Sequence, residues 1–490
     1  MRFLRTRRHS EHYKWWVLTC TSLGMLLATV NSGTLIIALP DLERSLHTTL
    51  LQLVWVILVY MIVSTVLVLT AGRLSDLFGR KNAYVLGFLI FSAASLGAGF
   101  SGSGTQLILW RVLQGVGGAF LFANAAALVT DAFPKEELGL AMGTNTMVAA
   151  VGLVIGPVLG GALVAISWPW VFWFNVPFGI AGSLWAYLVL HELSRRDEQR
   201  GLDLRGTAAY VVGLTGLVLA LSKGGLTGWS NGLVVGGFVA AVILLPLFVL
   251  IERRGRAPML DLSLFQDRLF SAASAAAFIN GLSRFALMFL FVFYFQGPQG
   301  QSPIMAGVEL APLAIGMLVA SPLAGVIADR RGSRGLAALG MVVSAAGLAG
   351  MTMLQAHTSY VWSALWLSVV GIGSGMFSSP NTAAMMGSVP GNRRGVAAGA
   401  RVMLQNTGAV ISIAFVMAIV TAAVPTDVLF KIFSGVTSGL STAQLDPFIS
   451  NLHLALWVLA AISLVGAAVS MLRPAHVRGP EHERVFEAVA

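Results

Sequence analysis

Long apolar segments alternate with short polar ones along almost the whole chain. Fourteen apolar segments reach about 20 residues, the length that an α-helix needs to cross the hydrocarbon core of a bilayer. We therefore predict an all-α membrane protein with fourteen transmembrane spans. Their expected limits are 15–39, 50–71, 83–101, 105–130, 138–166, 169–190, 205–222, 232–251, 269–296, 303–327, 335–354, 359–387, 396–422 and 450–472.

The composition and the charge distribution agree with a chain embedded in lipid. Of its 490 residues only 11% are charged, whereas a soluble protein has about 25%. The net charge of +10 comes from Lys and Arg clustered at the termini and in every second loop, which is the positive-inside pattern rather than a nucleic-acid surface. We predict cytoplasmic N- and C-termini in a cell membrane, and the absence of an Asn-x-Ser/Thr sequon fits a bacterial source. The exceptions are Arg44, Lys223 and Lys431 in outer loops, and Arg111, Arg284 and Arg401 within spans.

A charged turn bracketed by glycines follows the second span and recurs after the tenth. Residues 72–81 read GRLSDLFGRK, and residues 325–334 read GVIADRRGSR. Such a repeat is typical of duplicated transporters. A plain duplication of six spans would place the copy after span eight, so spans seven and eight are expected to be inserted between two pseudo-symmetric six-helix bundles. Because they carry few polar side chains, we expect both to be peripheral and to face lipid.

This offset predicts the organisation of the chain. Residues 1–190 form the first six-helix bundle, and residues 191–268 hold the linkers and the two inserted helices. Residues 269–472 form the second bundle, and residues 473–490 form a cytoplasmic tail.

The charged turn is expected to control access from the inner side. Its glycines let two backbones pass closely, and Asp76 can accept hydrogen bonds at a helix N-terminus and pair with Arg80. Asp131, at the inner end of span four, is a further partner for Arg80. A positive-inside loop with a local salt bridge is the alternative. The expected gating residues are Gly72, Asp76, Gly79, Arg80, Asp131 and Asp329.

These features resemble the major facilitator superfamily, whose loop between spans two and three reads G-x-L-a-D-r-x-G-r-k. Residues 111–118, RVLQGVGG, resemble its R-x-x-q-G-x-g motif, and residues 152–161, GLVIGPVLGG, resemble its antiporter motif G-x-x-x-G-P-x-x-G-G. Residues 168–177, WPWVFWFNVP, resemble a stretch of the fourteen-span drug:proton antiporters, a family of multidrug efflux proteins. The resemblance implies export of small amphipathic compounds in exchange for protons by alternating access.

The antiporter motif predicts a flat helix face. Gly152, Gly156 and Gly160 repeat at four-residue spacing, so their helix can pack closely against a neighbour. Pro157 weakens the same helix, and Gly161 ends the motif. Such a face could seal or flex between the halves, although ordinary helix packing would produce the same pattern.

The residues that couple transport to protons are less clearly indicated by the sequence. The resemblance implies that Arg111 tunes a nearby protonatable group or holds a water network, whereas its structural alternative is a hydrogen bond to a backbone carbonyl or to Gln114. In the family pattern L-D-x-T-I-V-N-V-A-L-P an acid often precedes the end of span one, but Asn31 stands there in this chain. Coupling through span one is therefore in doubt.

Glu309 in span ten is the remaining membrane acid. Three interpretations are open: it carries the proton, it forms a fixed ion pair with Arg284 in span nine, or it is solvated near the outer rim. Because the spans contain three arginines and only one glutamate, we expect a neutral or anionic amphipathic substrate.

A central cavity could be lined by polar or aromatic side chains, each of which could instead form a helix–helix hydrogen bond. These residues are Asn31, Trp55, Tyr60, Gln114, Asn124, Gln296, Asn381, Gln405 and Asn406.

Other classes of function find little support. The chain has no Walker-type nucleotide motif, no H-E-x-x-H and no Cys/His cluster, so we expect no enzyme activity, no cofactor and no metal. The expected partners are a small-molecule substrate, protons and the lipid bilayer, with no nucleic acid and no obligate protein partner. The alternatives are a uniporter or importer of the same fold, and a membrane sensor without transport.

Overall fold

The computed structural model describes residues 11–133, 137–192, 203–255, 260–356, 358–389, 394–422, 424–433 and 441–474. Their secondary structure consists of α-helices and one short 3-10 helix, Leu262–Gln266. The prediction of an all-α membrane protein is confirmed. The α-helices are α1 Glu11–Leu46, α2 Leu50–Phe78, α3 Arg80–Gly99, α4 Gly104–Ala132, α5 Leu138–Ile166, α6 Trp170–Trp173, α7 Asn175–Val189, α8 Leu204–Thr227, α9 Gly232–Arg254, α10 Arg268–Gln296, α11 Pro303–Glu309, α12 Ala311–Arg331, α13 Ser333–Met351, α14 Tyr360–Gly387, α15 Arg394–Thr421, α16 Thr426–Phe433 and α17 Thr442–Met471.

The helices account for all fourteen expected spans. Among the described residues, 13 helical segments are long and apolar enough to cross a membrane, and the 29-residue α5 is a further long helix. Span six is divided into α6 and α7, and span ten into α11 and α12. The break in span ten falls at Leu310, because Pro312 lacks the N–H that would continue the helix.

The long helices pack in two groups. In the first group α5 packs on α1, and α4 packs between α2 and α3. In the second group α14 packs between α12 and α13, while α10 packs on α15 and α17. The two groups meet along two flanks, where α5 contacts α11 and α12 and where α2 contacts α15. This grouping agrees with the expected halves, and the domain limits stay a prediction.

The inserted helices differ in their surroundings. α8 lies in the flank between α2 and α15 and contacts both of them, so the prediction that it is peripheral is wrong. Trp55 of α2 donates from Nε1 to Ser222 Oγ at 3.3 Å, and Tyr210 shares a hydrogen bond with Thr407 of α15. α9 packs on α8 and exposes large apolar side chains such as Val242, as expected of a lipid-facing helix.

Candidate functional site

The antiporter motif on α5 presents two faces rather than one. The first face packs on α1, where a Cβ built on Gly160 would lie 2.7 Å from the Thr34 Cα. The second face packs on α11, where a Cβ built on Gly161 would lie 2.7 Å from the backbone nitrogen of Ile304. At Gly307, a built Cβ would lie 2.6 Å from the carbonyl carbon of Pro157. The motif therefore joins α5 both to its own half and to the other half.

The halves also meet beside this contact. Gln296 at the end of α10 donates from Nε2 to the backbone carbonyl of Ile37 in α1 at 3.3 Å. Both contacts lie toward the membrane side opposite the N-terminus, which is the predicted outer side. We call the contacts of α5 with α11 and of α1 with α10 the outer seam. The structure holds the outer seam closed.

Arg111 is the centre of a buried polar network in the first half. Its side chain is 1% exposed, and it donates from Nε to the Val56 carbonyl at 2.9 Å and from a terminal nitrogen to Gln114 Oε1 at 2.5 Å. The guanidinium carbon also lies 4.4 Å from the centre of the Tyr60 ring. No carboxylate of the described residues lies within ion-pair distance of Arg111. The alternative role predicted for Arg111 was a hydrogen bond to a backbone carbonyl or to Gln114, and both of these hydrogen bonds are present.

Asn31 occupies the place in this network where the family pattern has an acid. Its Oδ1 accepts from Gln114 Nε2 at 3.1 Å and from Asn175 Nδ2 at 3.4 Å. Its own Nδ2 is buried and has no hydrogen-bond partner in the described part of the chain. Sequence reasoning missed Asn175, although it is the polar residue within the WPWVFWFNVP stretch at residues 168–177, which resembles the drug:proton antiporters. The network thus joins α1, α4 and α7 with amides in place of an acid.

Glu309 is the last residue of α11, beside the outer seam. It is 5% exposed, and its Oε2 is buried with no hydrogen-bond partner among the residues described. Its backbone carbonyl accepts from the Tyr360 hydroxyl at 3.5 Å. The protein therefore covers most of the Glu309 side chain, and its role in proton coupling stays a prediction.

The alternative of a fixed Glu309–Arg284 ion pair is wrong. No such pair forms within 4.0 Å, and a terminal nitrogen of Arg284 instead lies 3.7 Å from Met317 Sδ. The reason is the helix break at Leu310. Glu309 ends α11, whereas Met317, which Arg284 contacts, lies almost two turns into α12.

At the predicted inner side, Arg80 donates to Asp131 Oδ2 at 2.7 Å, and both side chains are about one quarter exposed. This is the suggested pair, and its role in gating stays a prediction. The N-terminus of α3 is capped by Glu192, whose carboxylate accepts from the backbone N–H groups of Arg80 and Lys81 at 3.1 Å each. Sequence reasoning had assigned Glu192 to a linker.

Gly79 precedes α3 with a φ of 101°, a conformation that glycine adopts without strain. The α2 helix continues through Gly72 to Phe78. The side chains of Asp76 and Asp329 lie outside the described residues.

Most of the other cavity candidates form helix–helix or local hydrogen bonds. Asn124 Nδ2 donates to Ser75 Oγ at 2.8 Å, and Arg401 donates to Gln405 within α15 at 3.0 Å. The remaining bonds join Trp55 to Ser222, Gln296 to Ile37, and Asn381 to both Ala273 and Arg473. Asn406 is half-buried on α15.

A cavity in the second half is lined by α10, by α12 with the residue that precedes it, and by α14. Its lining residues are Arg284, Phe285, Met288, Leu310, Leu313, Ala314, Met317, Gly371 and Ser374. Of these, the sequence had pointed only to Arg284. Elsewhere in the described residues, no group of three or more His, Cys, Asp or Glu side chains could hold a metal ion.

Comparison with known proteins identifies the class. The model of the Major Facilitator Superfamily matches residues 21–413 and 275–487, so the chain belongs to this family of membrane transporters, which are not enzymes. It is 30% identical over 386 residues to the "Tetracenomycin C resistance and export protein" of Streptomyces glaucescens, covering 79% of this chain and 72% of that protein. It is 29% identical over 403 residues to the riboflavin transporter RibZ of Clostridioides difficile, covering 82% of this chain and 87% of the relative.

A solved structure shares the fold. A bacterial homologue of the human lysosomal transporter Spinster, in an inward-facing and unoccupied conformation, matches with a TM-score of 0.67 at 15% identity. The match covers 95% of this chain and 97% of that one.

Proposed function

We propose that this protein exports small amphipathic compounds across the cell membrane in exchange for protons, by alternating access. The observation that supports this proposal most directly is the position of Glu309. It ends the short helix α11, and α11 is the element that the antiporter motif of α5 packs against. A protonatable group and the outer seam therefore share one seven-residue helix.

The cost of burying a charge connects the protonation of Glu309 to the closure of the outer seam. Glu309 Oε2 is buried without a hydrogen-bond partner among the described residues, which is costly for an ionised carboxylate and far better tolerated in its neutral form. The closed outer seam therefore favours protonated Glu309. Opening the seam would hydrate the carboxylate and allow it to ionise. A proton taken up from outside would thus favour closure, which is the linkage that a proton-driven exporter needs.

The Arg111 network at the centre of the first half offers no competing proton carrier. Asn31 replaces the acid of the family pattern, and Arg111 is held by Val56 and Gln114. An amide does not titrate, so this network can position helices but cannot carry a proton. We assign coupling to Glu309.

The test is a flux assay in proteoliposomes that contain a pH-sensitive dye. An imposed pH gradient should drive uptake or release of compounds from a chemically diverse panel, and a substrate gradient should move protons in the opposite direction. Glu309→Gln should abolish both coupled fluxes while the protein remains folded in the membrane. Glu43→Gln is the matched control, because Glu43 of α1 is also buried, at 4% exposure.

Undiminished substrate-driven proton movement by Glu309→Gln would remove Glu309 from the mechanism. Loss of coupling in the Glu43→Gln control as well would assign the effect to the outer end of the bundle in general.

A uniporter or importer is the second candidate, and the similarity to a riboflavin transporter favours including it. It predicts transport of riboflavin or another solute that continues when a protonophore collapses the pH gradient. A sensor without transport predicts no flux for any compound.

A further inference from the structure

The cavity of the second half combines a mainly apolar lining with one cation. Arg284 and Met288 contribute from α10, Leu313 and Met317 from α12, and Ser374 from α14. Carboxylates are absent from the described residues that line it. A cavity with a few polar groups on apolar walls is the usual form of a small-molecule site.

The contacts of Arg284 do not match its charge. One terminal nitrogen lies 3.7 Å from the Met317 sulfur, and the guanidinium carbon lies 4.6 Å from the ring centre of Phe285. Its Nε is buried and has no hydrogen-bond partner within the described part of the chain. Thioether sulfur is a weak acceptor, whereas a buried guanidinium is normally matched by oxygen acceptors or a counter-charge.

The other two arginines within the predicted spans have oxygen atoms as hydrogen-bond acceptors. Arg111 donates to two oxygen acceptors, and Arg401 donates to the side-chain oxygen of Gln405. Ser374, on the helix that faces Arg284 across the cavity, also has a buried hydroxyl without a partner among the described residues. Two unused donors therefore line one apolar cavity.

We propose that this cavity binds the carboxylate of an amphipathic monoanion, with Arg284 as the counter-charge and the Ser374 hydroxyl as a second donor. The planar guanidinium matches a carboxylate with two parallel hydrogen bonds. Met288, Met317 and Leu313 contact the apolar part of the ligand, and flexible methionines accommodate different shapes. The site repels cations. As a substrate site it rests on the proposed export function, but binding itself does not depend on Glu309.

Equilibrium binding to the full-length protein in lipid nanodiscs tests the proposal. The radiolabelled probes are 1-naphthaleneacetic acid, its primary amide and 2-(1-naphthyl)ethylamine, which share one ring system and differ in charge. The acid should bind roughly tenfold or more tightly than the amide, as expected when a charged hydrogen-bonding pair forms. Arg284→Gln should reduce the acid to the affinity of the amide and leave the amide unchanged, whereas Arg284→Lys should keep a smaller preference.

Arg401→Gln is the matched control, because it removes the same charge from another span and should leave the acid preference intact. The proposal is overturned if wild-type protein shows no acid preference, if the amine binds most tightly, or if the preference survives Arg284→Gln. If Arg284→Gln fails to fold, Ser374→Ala replaces it. That variant should weaken acid binding about threefold to tenfold, as for loss of one hydrogen bond, and an unchanged acid-to-amide ratio contradicts the proposal.

The binding measurement uses no gradient, so it separates this site from the proposed function. Intact acid preference together with absent proton-coupled flux would refute the export mechanism and leave the site. Coupled flux without acid preference would refute the site and leave the mechanism.

Discussion

A single methyl group at Gly161 is expected to force the outer seam apart. An ideal Cβ built there lies 2.7 Å from the Ile304 nitrogen and 2.7 Å from the Pro303 carbonyl oxygen. Real Cβ atoms essentially never approach another heavy atom within 3.0 Å. The obstructing atoms are backbone and cannot rotate away, so Gly161→Ala requires α5 or α11 to move.

The expected magnitude follows from overpacking. Inserting a methyl group into a well-packed contact costs about 1–3 kcal/mol. If α5 and α11 separate when the outer side opens, only the closed state bears this cost. The ratio of closed to open protein should then fall by a factor of about 5 to 150.

Cysteine labelling can measure this shift. Cys20 is the single cysteine of the chain and is buried, so Cys20→Ser provides a cysteine-free background. Ala306→Cys then places a reporter on α11 at a position with 0% exposure in the closed state. Labelling by a membrane-impermeant maleimide from outside should accelerate by the same factor of about 5 to 150.

The control is Gly236→Ala on α9, where a built Cβ meets no atom within 4 Å. It adds the same methyl group to a transmembrane helix without touching the outer seam. Equal labelling rates in the Gly161→Ala and Gly236→Ala proteins would refute the interpretation of the α5–α11 contact as a seam that opens.

Three further perturbations test other parts of the molecule. Arg80→Gln should lower the melting temperature only slightly, because a partly exposed ion pair contributes about 0.2–1 kcal/mol. The same variant should reduce transport if the Arg80–Asp131 pair acts as a gate. The double variant Arg80→Asp with Asp131→Arg, which exchanges the two charges, should then restore transport. Gly225→Ala should displace α8 from α15 and destabilise the protein by about 1–3 kcal/mol in a thermal unfolding assay, whereas Gly236→Ala should not. Asn31→Asp should add a titratable group beside the Arg111 network, seen as additional protons moved per substrate in the dye assay, and an unchanged ratio would show that this network stays outside the coupling.

The fold could be predicted from the sequence because the bilayer constrains it strongly. A spanning helix must satisfy its own backbone and keep apolar side chains over about 20 residues, so length and hydropathy reveal each span. The offset between the turns at 72–81 and 325–334 revealed the two inserted helices. The position of α8 could not be read in the same way. α8 makes its contacts with α2 and α15 through Tyr210, Ser222 and a glycine. Two polar side chains and one glycine hardly change the mean hydropathy of a helix, so hydropathy does not reveal these contacts.

The candidate site was predicted less completely, since it depends on which helices become neighbours. The two acceptors of Arg111 were foreseen as alternatives, because Gln114 lies one helical turn away. Arg284 and Glu309 were paired as the nearest opposite charges in adjacent spans, but the break after α11 separates them. The capping of α3 by Glu192 joins residues more than 100 positions apart, a relation that no local pattern contains.

The two halves differ in how they treat buried charge, and this difference bears on where transport chemistry occurs. Arg111 in the first half has two oxygen acceptors. In the second half, the Glu309 carboxylate and the Arg284 guanidinium each keep a buried atom without a partner in the described residues. An unsatisfied charged group costs more than an unsatisfied neutral one. A proton on Glu309 and an anion beside Arg284 would each remove such a cost. Both ligands of an exchange cycle would then act on the second half, and the first half would supply the fixed surface of the outer seam.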